Sequence, residues 1–140
     1  KFTGAQVTKD VVRKWKEEVS YVGGEVRVAT VELSVEGKKQ VVDIGDLVAQ
    51  ACEMIVPKIG NAIKKIVAGA DPEYQPVLRN NIILSGGGSL IDGIAARMTD
   101  EISDIGDVTV WCVEDPINAV ATGALQLAGE MPDDMYTAIN

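Results

Sequence analysis

Residues Asn80 to Met98 read NNIILSGGGSLIDGIAARM. Ile82, Ile83 and Leu84 make a short continuous apolar run, the pattern of a strand buried on both faces. Ser85 and the glycines Gly86, Gly87 and Gly88 interrupt it, and Ile91, Ile94, Met98 and Ile102 then recur at helical spacing. Strand, glycine turn and helix bring backbone N–H groups and the positive end of a helix dipole beside an open cleft. Such a cleft suits an anionic or planar ligand. Two phosphate loops are excluded. A Walker A loop needs Lys and a hydroxyl residue after its glycine, and Gly88 is followed by Ser89 and Leu90. A dinucleotide fingerprint starting at Gly86 needs glycine where Ile91 stands. Taken alone, the glycines fit better a tight strand-to-helix turn with no ligand.

The stretch as a whole is more specific. Leu84, Ser85, Gly86, Gly87, Leu90, Gly93, Ile94 and Ala95 resemble the adenosine motif of the actin superfamily. Two further segments match in the same order. Val11 to Val22, VVRKWKEEVSYV, is similar to the actin helix whose Lys-Glu pair reaches adenine and ribose. Glu114 to Ala124, EDPINAVATGA, is similar to the closing segment of the bacterial actins. The match spans nearly the whole chain but only the C-terminal part of such a protein. It lies nearest the rod-shape and magnetosome-aligning bacterial actins, and of these it favours the second.

Composition narrows the chemistry independently. The chain has 140 residues, 46% hydrophobic, enough for one domain with a core. No apolar run reaches the length of a membrane span, and no segment has a signal peptide's make-up. The chain begins with Lys1 rather than Met, as a fragment or processed chain would. A net charge of −8 disfavours nucleic acid or an anionic membrane as a direct partner. With no histidine, histidine triads, His-ligated metals and histidine pH switches are excluded. Cys52 and Cys112 are far apart and read as buried, reduced thiols of a cytosolic protein.

Along the chain, Thr3 to Thr8 reads as an irregular lead-in, with Thr8 as a helix N-cap. Val11, Val12, Trp15, Val19 and Val22 give an amphipathic helix over Lys9 to Tyr21, with Trp15 in the core, stopped by Gly23-Gly24. Glu25 to Val35 is β-prone, Glu36-Gly37 is a turn, and Lys39 to Ile44 returns as a second strand. A helix is predicted from Asp46 to Val67, kinked or split by Pro57. After the glycine-turn unit, Val108 to Cys112 alternates as a strand. Asn118 to Ala128 is a helix of small residues able to pack closely, and residues 131–140 form a short acidic tail. Strands alternating with helices after residue 75 argue for a parallel α/β layer, and the hairpin and helices before it for a small α+β subdomain. The fold class expected is therefore α/β: an actin-like (ribonuclease H-like) ATPase fold in part. Residues 1–70 would be an upper subdomain with the hairpin and nucleotide-contacting helix, and residues 71–140 the C-terminal part of a lower α/β subdomain carrying the adenosine motif.

The resemblance implies site residues. Glu17 would accept hydrogen bonds from ribose hydroxyls, which a carboxylate suits because it offers only acceptors, while Lys16 lies near the adenine. The plain alternative is a solvated charged helix face. Gly86, Gly87 and Gly88 would lie against the adenosine, with Leu90 and Ile91 as apolar walls. Relatives often carry an aromatic near Ile91, so stacking is weaker here. Ile117 and Asn118 would approach the base from beneath. Val41 to Leu47 superficially resembles the superfamily's phosphate hairpin. Asp46, however, replaces the hydroxyl residue and would repel a phosphate, so Asp43 to Asp46 reads as a helix N-terminus. Neither a second phosphate hairpin nor a catalytic carboxylate cluster is present, so no catalytic residue and no metal ligand is assigned in this chain.

The resemblance thus implies part of a bacterial actin: a cytoplasmic, cytoskeletal ATPase that binds ATP/ADP with Mg²⁺ held outside this chain and polymerises with itself. Such a filament would organise magnetosomes and could engage an adaptor protein. The chain alone would be inactive. Two alternatives stand beside this reading: another ATPase of the fold, of the sugar-kinase or Hsp70-like kind, or a non-hydrolysing half-actin module that docks on filaments or adaptors.

Overall fold

A computed structural model describes residues 7–132 and Met135. The lead-in read over Thr3 to Thr8 and the acidic tail therefore fall largely outside the described residues. The chain opens with helix α1, Lys9–Val19. The Thr8 hydroxyl caps it, accepting from Val11 N at 3.4 Å. The helix stops two residues short of the expected end, because Tyr21 leaves it to form a parallel bridge with Asp92.

Strands β1, Thr30–Val35, and β2, Lys38–Asp43, form an antiparallel hairpin pairing Val35 with Lys38. Glu36 and Gly37 both take positive φ, the geometry of a two-residue turn whose twist matches the flanking strands. The expected strand from Glu25 starts only at Thr30. Gly23 and Gly24 sit at positive φ, and Val26 and Val28 are exposed, with no strand beside them among the described residues. Alternation there reflects no buried face.

Pro57 splits the long predicted helix. Helix α2 is Gly45–Glu53 and α3 is Val56–Gly69, with Pro57 in the first turn of α3, where a missing N–H costs nothing. Gly45 is required at the hairpin-to-helix junction, since a Cβ there would lie 1.8 Å from the Arg27 carbonyl oxygen. A short helix α4, Gln75–Arg79, precedes the glycine unit and was not foreseen.

The second sheet is parallel, as expected: β3, Ile82–Leu84, pairs with β4, Val110–Cys112. Between them run a 3-10 turn over Gly87–Leu90 and helix α5, Ile94–Glu101. The predicted helix thus begins only after Gly93. Helix α6, Ala119–Glu130, closes the described chain.

A core cluster joins α2, α3, α5 and the β3–β4 sheet. Val22, Cys52, Val56, Ile91, Ile94, Met98 and Ile102 are buried together, with Ile82, Leu84, Val110 and Cys112 packed against them. Several expectations of burial are corrected here. Trp15 is only half-buried, and Val11 and Val12 are exposed, because the apolar face of α1 borders a cavity rather than a filled core. Strand β3 is covered on one face: Ile82 and Leu84 meet the core, while Ile83 and its partner Trp111 face outward. Helix α6, expected to pack closely, has no buried residue, and Val120 is 77% exposed. Cys112 is half-buried rather than buried.

Candidate functional site

The candidate site lies where α1 meets the glycine turn. Tyr21 and Asp92 bring these distant segments together: Val22 N donates to Asp92 O at 2.9 Å, and Asp92 N donates to Ser20 O at 3.2 Å. Gly93 makes this approach possible. It sits at φ +79°, and a Cβ there would stand 2.6 Å from the Val22 carbonyl oxygen.

Across this junction five of the predicted residues divide between two cavities, while Gly86, Gly87, Ile117 and Asn118 line neither. Lys16, Gly88 and Ile91 line a mainly apolar cavity of about 520 Å³, whose walls include Trp15, Leu47, Cys52 and Ile55. Glu17 and Leu90 line a second of about 340 Å³, together with Tyr21, Arg27 and Asp92. Successive positions on a helix point about 100° apart, so a Lys-Glu neighbour pair serves both spaces. Both side chains are exposed.

The glycine turn is open. A Cβ at Gly86, Gly87 or Gly88 would meet nothing within 4 Å, and of the three only Gly86 has positive φ, at +82°. A flat group could therefore lie directly on this backbone. The turn is held from below by the closing segment, where Pro116 is buried and its carbonyl accepts from Gly86 N at 2.7 Å and from the Ser85 hydroxyl at 3.2 Å. This fixes Ile117 and Asn118 near the turn. Ile117 is exposed, whereas the Asn118 amide donates to the Asp115 carboxylate at 3.0 Å and is already engaged at the start of α6. Ile91 is 5% exposed and belongs to the core. Pro116 and the Tyr21–Asp92 junction were missed in the sequence because nothing local marks a long-range backbone contact.

Asp43 behaves as a helix-start residue. Its Oδ1 accepts from Gly45 N and from Ala29 N, each at 2.9 Å. The bond from Gly45, then that from Ala29, holds its carboxyl below the usual carboxylate range. Cys52 is packed in the core, and burial pushes its thiol up against smaller opposing effects from Tyr21 and the Lys16 charge.

Comparisons with known proteins bear on the chain as a whole. The sequence profile of the MreB/Mbl protein family matches residues 4–135. The chain belongs to the MreB/Mbl family. It is 38% identical over 131 residues to the actin-like protein MamK of Paramagnetospirillum magneticum, a match that covers 94% of this chain and 38% of that protein. The MamK of Magnetospirillum gryphiswaldense is also 38% identical, with 36% of its length covered. The fold matches a MamK double helical filament with a TM-score of 0.86 at 37% identity, covering 92% of this chain and 40% of that one. A non-polymerising MamK mutant bound to AMPPNP matches with a TM-score of 0.81 at 36% identity, covering 90% of this chain and 39% of that one. The architecture is therefore an actin-like α/β fold in part, and the chain spans well under half the length of these MreB/Mbl relatives.

Proposed function

We propose that this chain supplies the adenosine half of the nucleotide site in a bacterial actin-like ATPase that polymerises into cytoskeletal filaments. The observation that carries the reading is the junction of α1 with the glycine turn. Lys16 and Gly88 line one cavity beside it and Glu17 and Leu90 another, and the glycine backbone is open. Base and ribose would lie across Gly86–Gly88, with Lys16 near the base, Glu17 on the ribose hydroxyls, and Leu90 and Ile117 as apolar contacts. Asn118 and Ile91 would act from behind, Asn118 by fixing the closing segment and Ile91 by backing the turn. Residues 1–70 would form the upper subdomain and residues 71–140 the lower one. An MreB/Mbl relationship and an AMPPNP-bound relative of the same fold support ATP as the ligand.

Among the described residues no group of three or more His, Cys, Asp or Glu side chains could hold a metal ion. In this reading, phosphoryl transfer and the Mg²⁺ that accompanies ATP belong to the phosphate hairpins of the full-length protein, and this chain contributes binding and orientation. The likeness to a MamK filament supports self-association into filaments, and the MamK relationship supports a role in organising magnetosomes. Family membership favours this filament reading over the sugar-kinase and Hsp70-like alternatives. No helix among the described residues is long and apolar enough to cross a membrane. The cytoplasmic location is proposed from the resemblance alone, and an adaptor is a further proposed partner.

The test is calorimetry on the full-length protein with ATP and 2′,3′-dideoxy-ATP. Glu17→Ala is expected to weaken ATP by about 1.5–3 kcal/mol, the loss of a charged hydrogen bond, and to leave the dideoxy analogue nearly unchanged. Equal losses for both ligands would remove Glu17 from the ribose.

A further inference from the structure

We propose that Tyr21, Arg27 and Asp92 form a positioning device that sets the gap between α1 and the glycine turn, and so aims the Glu17 carboxylate. This rests on the adenosine reading above. The device has one member on each side of the gap and one that ties them. Tyr21 continues the chain from α1, and Asp92 follows the 3-10 turn after the glycines; their backbones form the parallel bridge. Arg27 folds back over both. Its guanidinium lies over the Tyr21 ring, 4.8 Å from the centroid, and pairs with the Asp92 carboxylate. Its backbone N–H donates to the Tyr21 hydroxyl at 2.9 Å. Tyr21 itself is 3% exposed, so its ring is a fixed platform.

All three residues line the same cavity as Glu17 and Leu90. Glu17 lies in the last turn of α1, four residues before Tyr21, so a small tilt at the junction is carried to its carboxylate. The ion pair has little to do with overall stability. The Arg27 and Asp92 side chains are 57% and 63% exposed, and exposed pairs contribute little. A planar guanidinium that stacks on one wall while it bonds to the other supplies geometry, which a lysine ammonium cannot reproduce in full.

The test uses the full-length protein, with ATP and 2′,3′-dideoxy-ATP affinities measured by calorimetry alongside melting curves. The wild type is expected to prefer ATP by roughly tenfold or more, the loss of one charged hydrogen bond. Arg27→Ala and Asp92→Asn, each breaking the pair from one side, are expected to lose most of that preference with the melting temperature little changed. Arg27→Lys should recover part of it. Arg27→Ala combined with Glu17→Ala should lose no more than Glu17→Ala alone, because both act on the same contact. If Glu17→Ala abolishes the preference while both pair-breaking variants keep it, the positioning role is wrong and the adenosine reading stands. Equal weakening of both ligands by the pair-breaking variants would also overturn it. If Glu17→Ala leaves the preference intact, the adenosine reading fails and this inference with it.

Discussion

Gly87 and Gly93 belong to one stretch of sequence and answer to different demands. Gly87 does not need positive φ and has open space where a side chain would go, so the fold does not require glycine there. Gly93 has both a left-handed backbone and the Val22 carbonyl in its way. Gly87→Val is therefore expected to weaken ATP binding in the full-length protein while the melting curve stays put. Gly93→Ala is expected to destabilise the fold by about 1–3 kcal/mol, from the left-handed strain alone. Calorimetry and thermal melting separate the two; normal ATP affinity in Gly87→Val would take that glycine out of the site. The glycine run could be read in the sequence as a place without side chains. The need for Gly93 could not, because it arises from a backbone oxygen far away in the chain.

Whole elements were legible where local chemistry decides them. The Glu36-Gly37 hairpin turn, the Thr8 cap and the parallel β3–β4 pair all appear as expected. Pro57 was read as a kink or a split, and the structure shows a split with Pro57 in the first turn of α3. A proline there is tolerated, so Pro57→Ala should lower stability by only about 0.4–1 kcal/mol, through the freer unfolded chain. A loss near 3 kcal/mol or a large gain on thermal melting would mean that the helix break depends on the ring itself. Illegible elements share one cause. Val26 and Val28 alternate like a strand, and α6 is apolar like a core helix, yet both stand exposed among the described residues. Hydrophobic pattern reports what a segment could bury, and not which partner is at hand to cover it. Ile83 and Trp111 on the outer face of the small sheet repeat the lesson, as does Trp15 beside its cavity.

At the scale of the molecule, the chain matches MamK across 94% of its own length and 38% of that relative's. The actin-like fold was legible because three motifs fall in order. The candidate site could be drawn from the sequence only as residue types, and the structure adds how α1 is joined to the glycine turn. Without phosphate-binding hairpins, the isolated 140-residue chain is expected to release no phosphate from Mg²⁺-ATP above background. Turnover abolished by a point substitution within it would contradict that division of labour. The full-length protein is expected to form filaments with ATP, visible by electron microscopy. The most direct measurement is a high-resolution electron-microscopy map of those filaments with nucleotide bound. The account predicts adenosine density lying on Gly86–Gly88, with a ribose oxygen within about 2.6–3.2 Å of the Glu17 carboxylate. Nucleotide density away from the glycine turn, or a Glu17 carboxylate turned to solvent beside an occupied site, would contradict it.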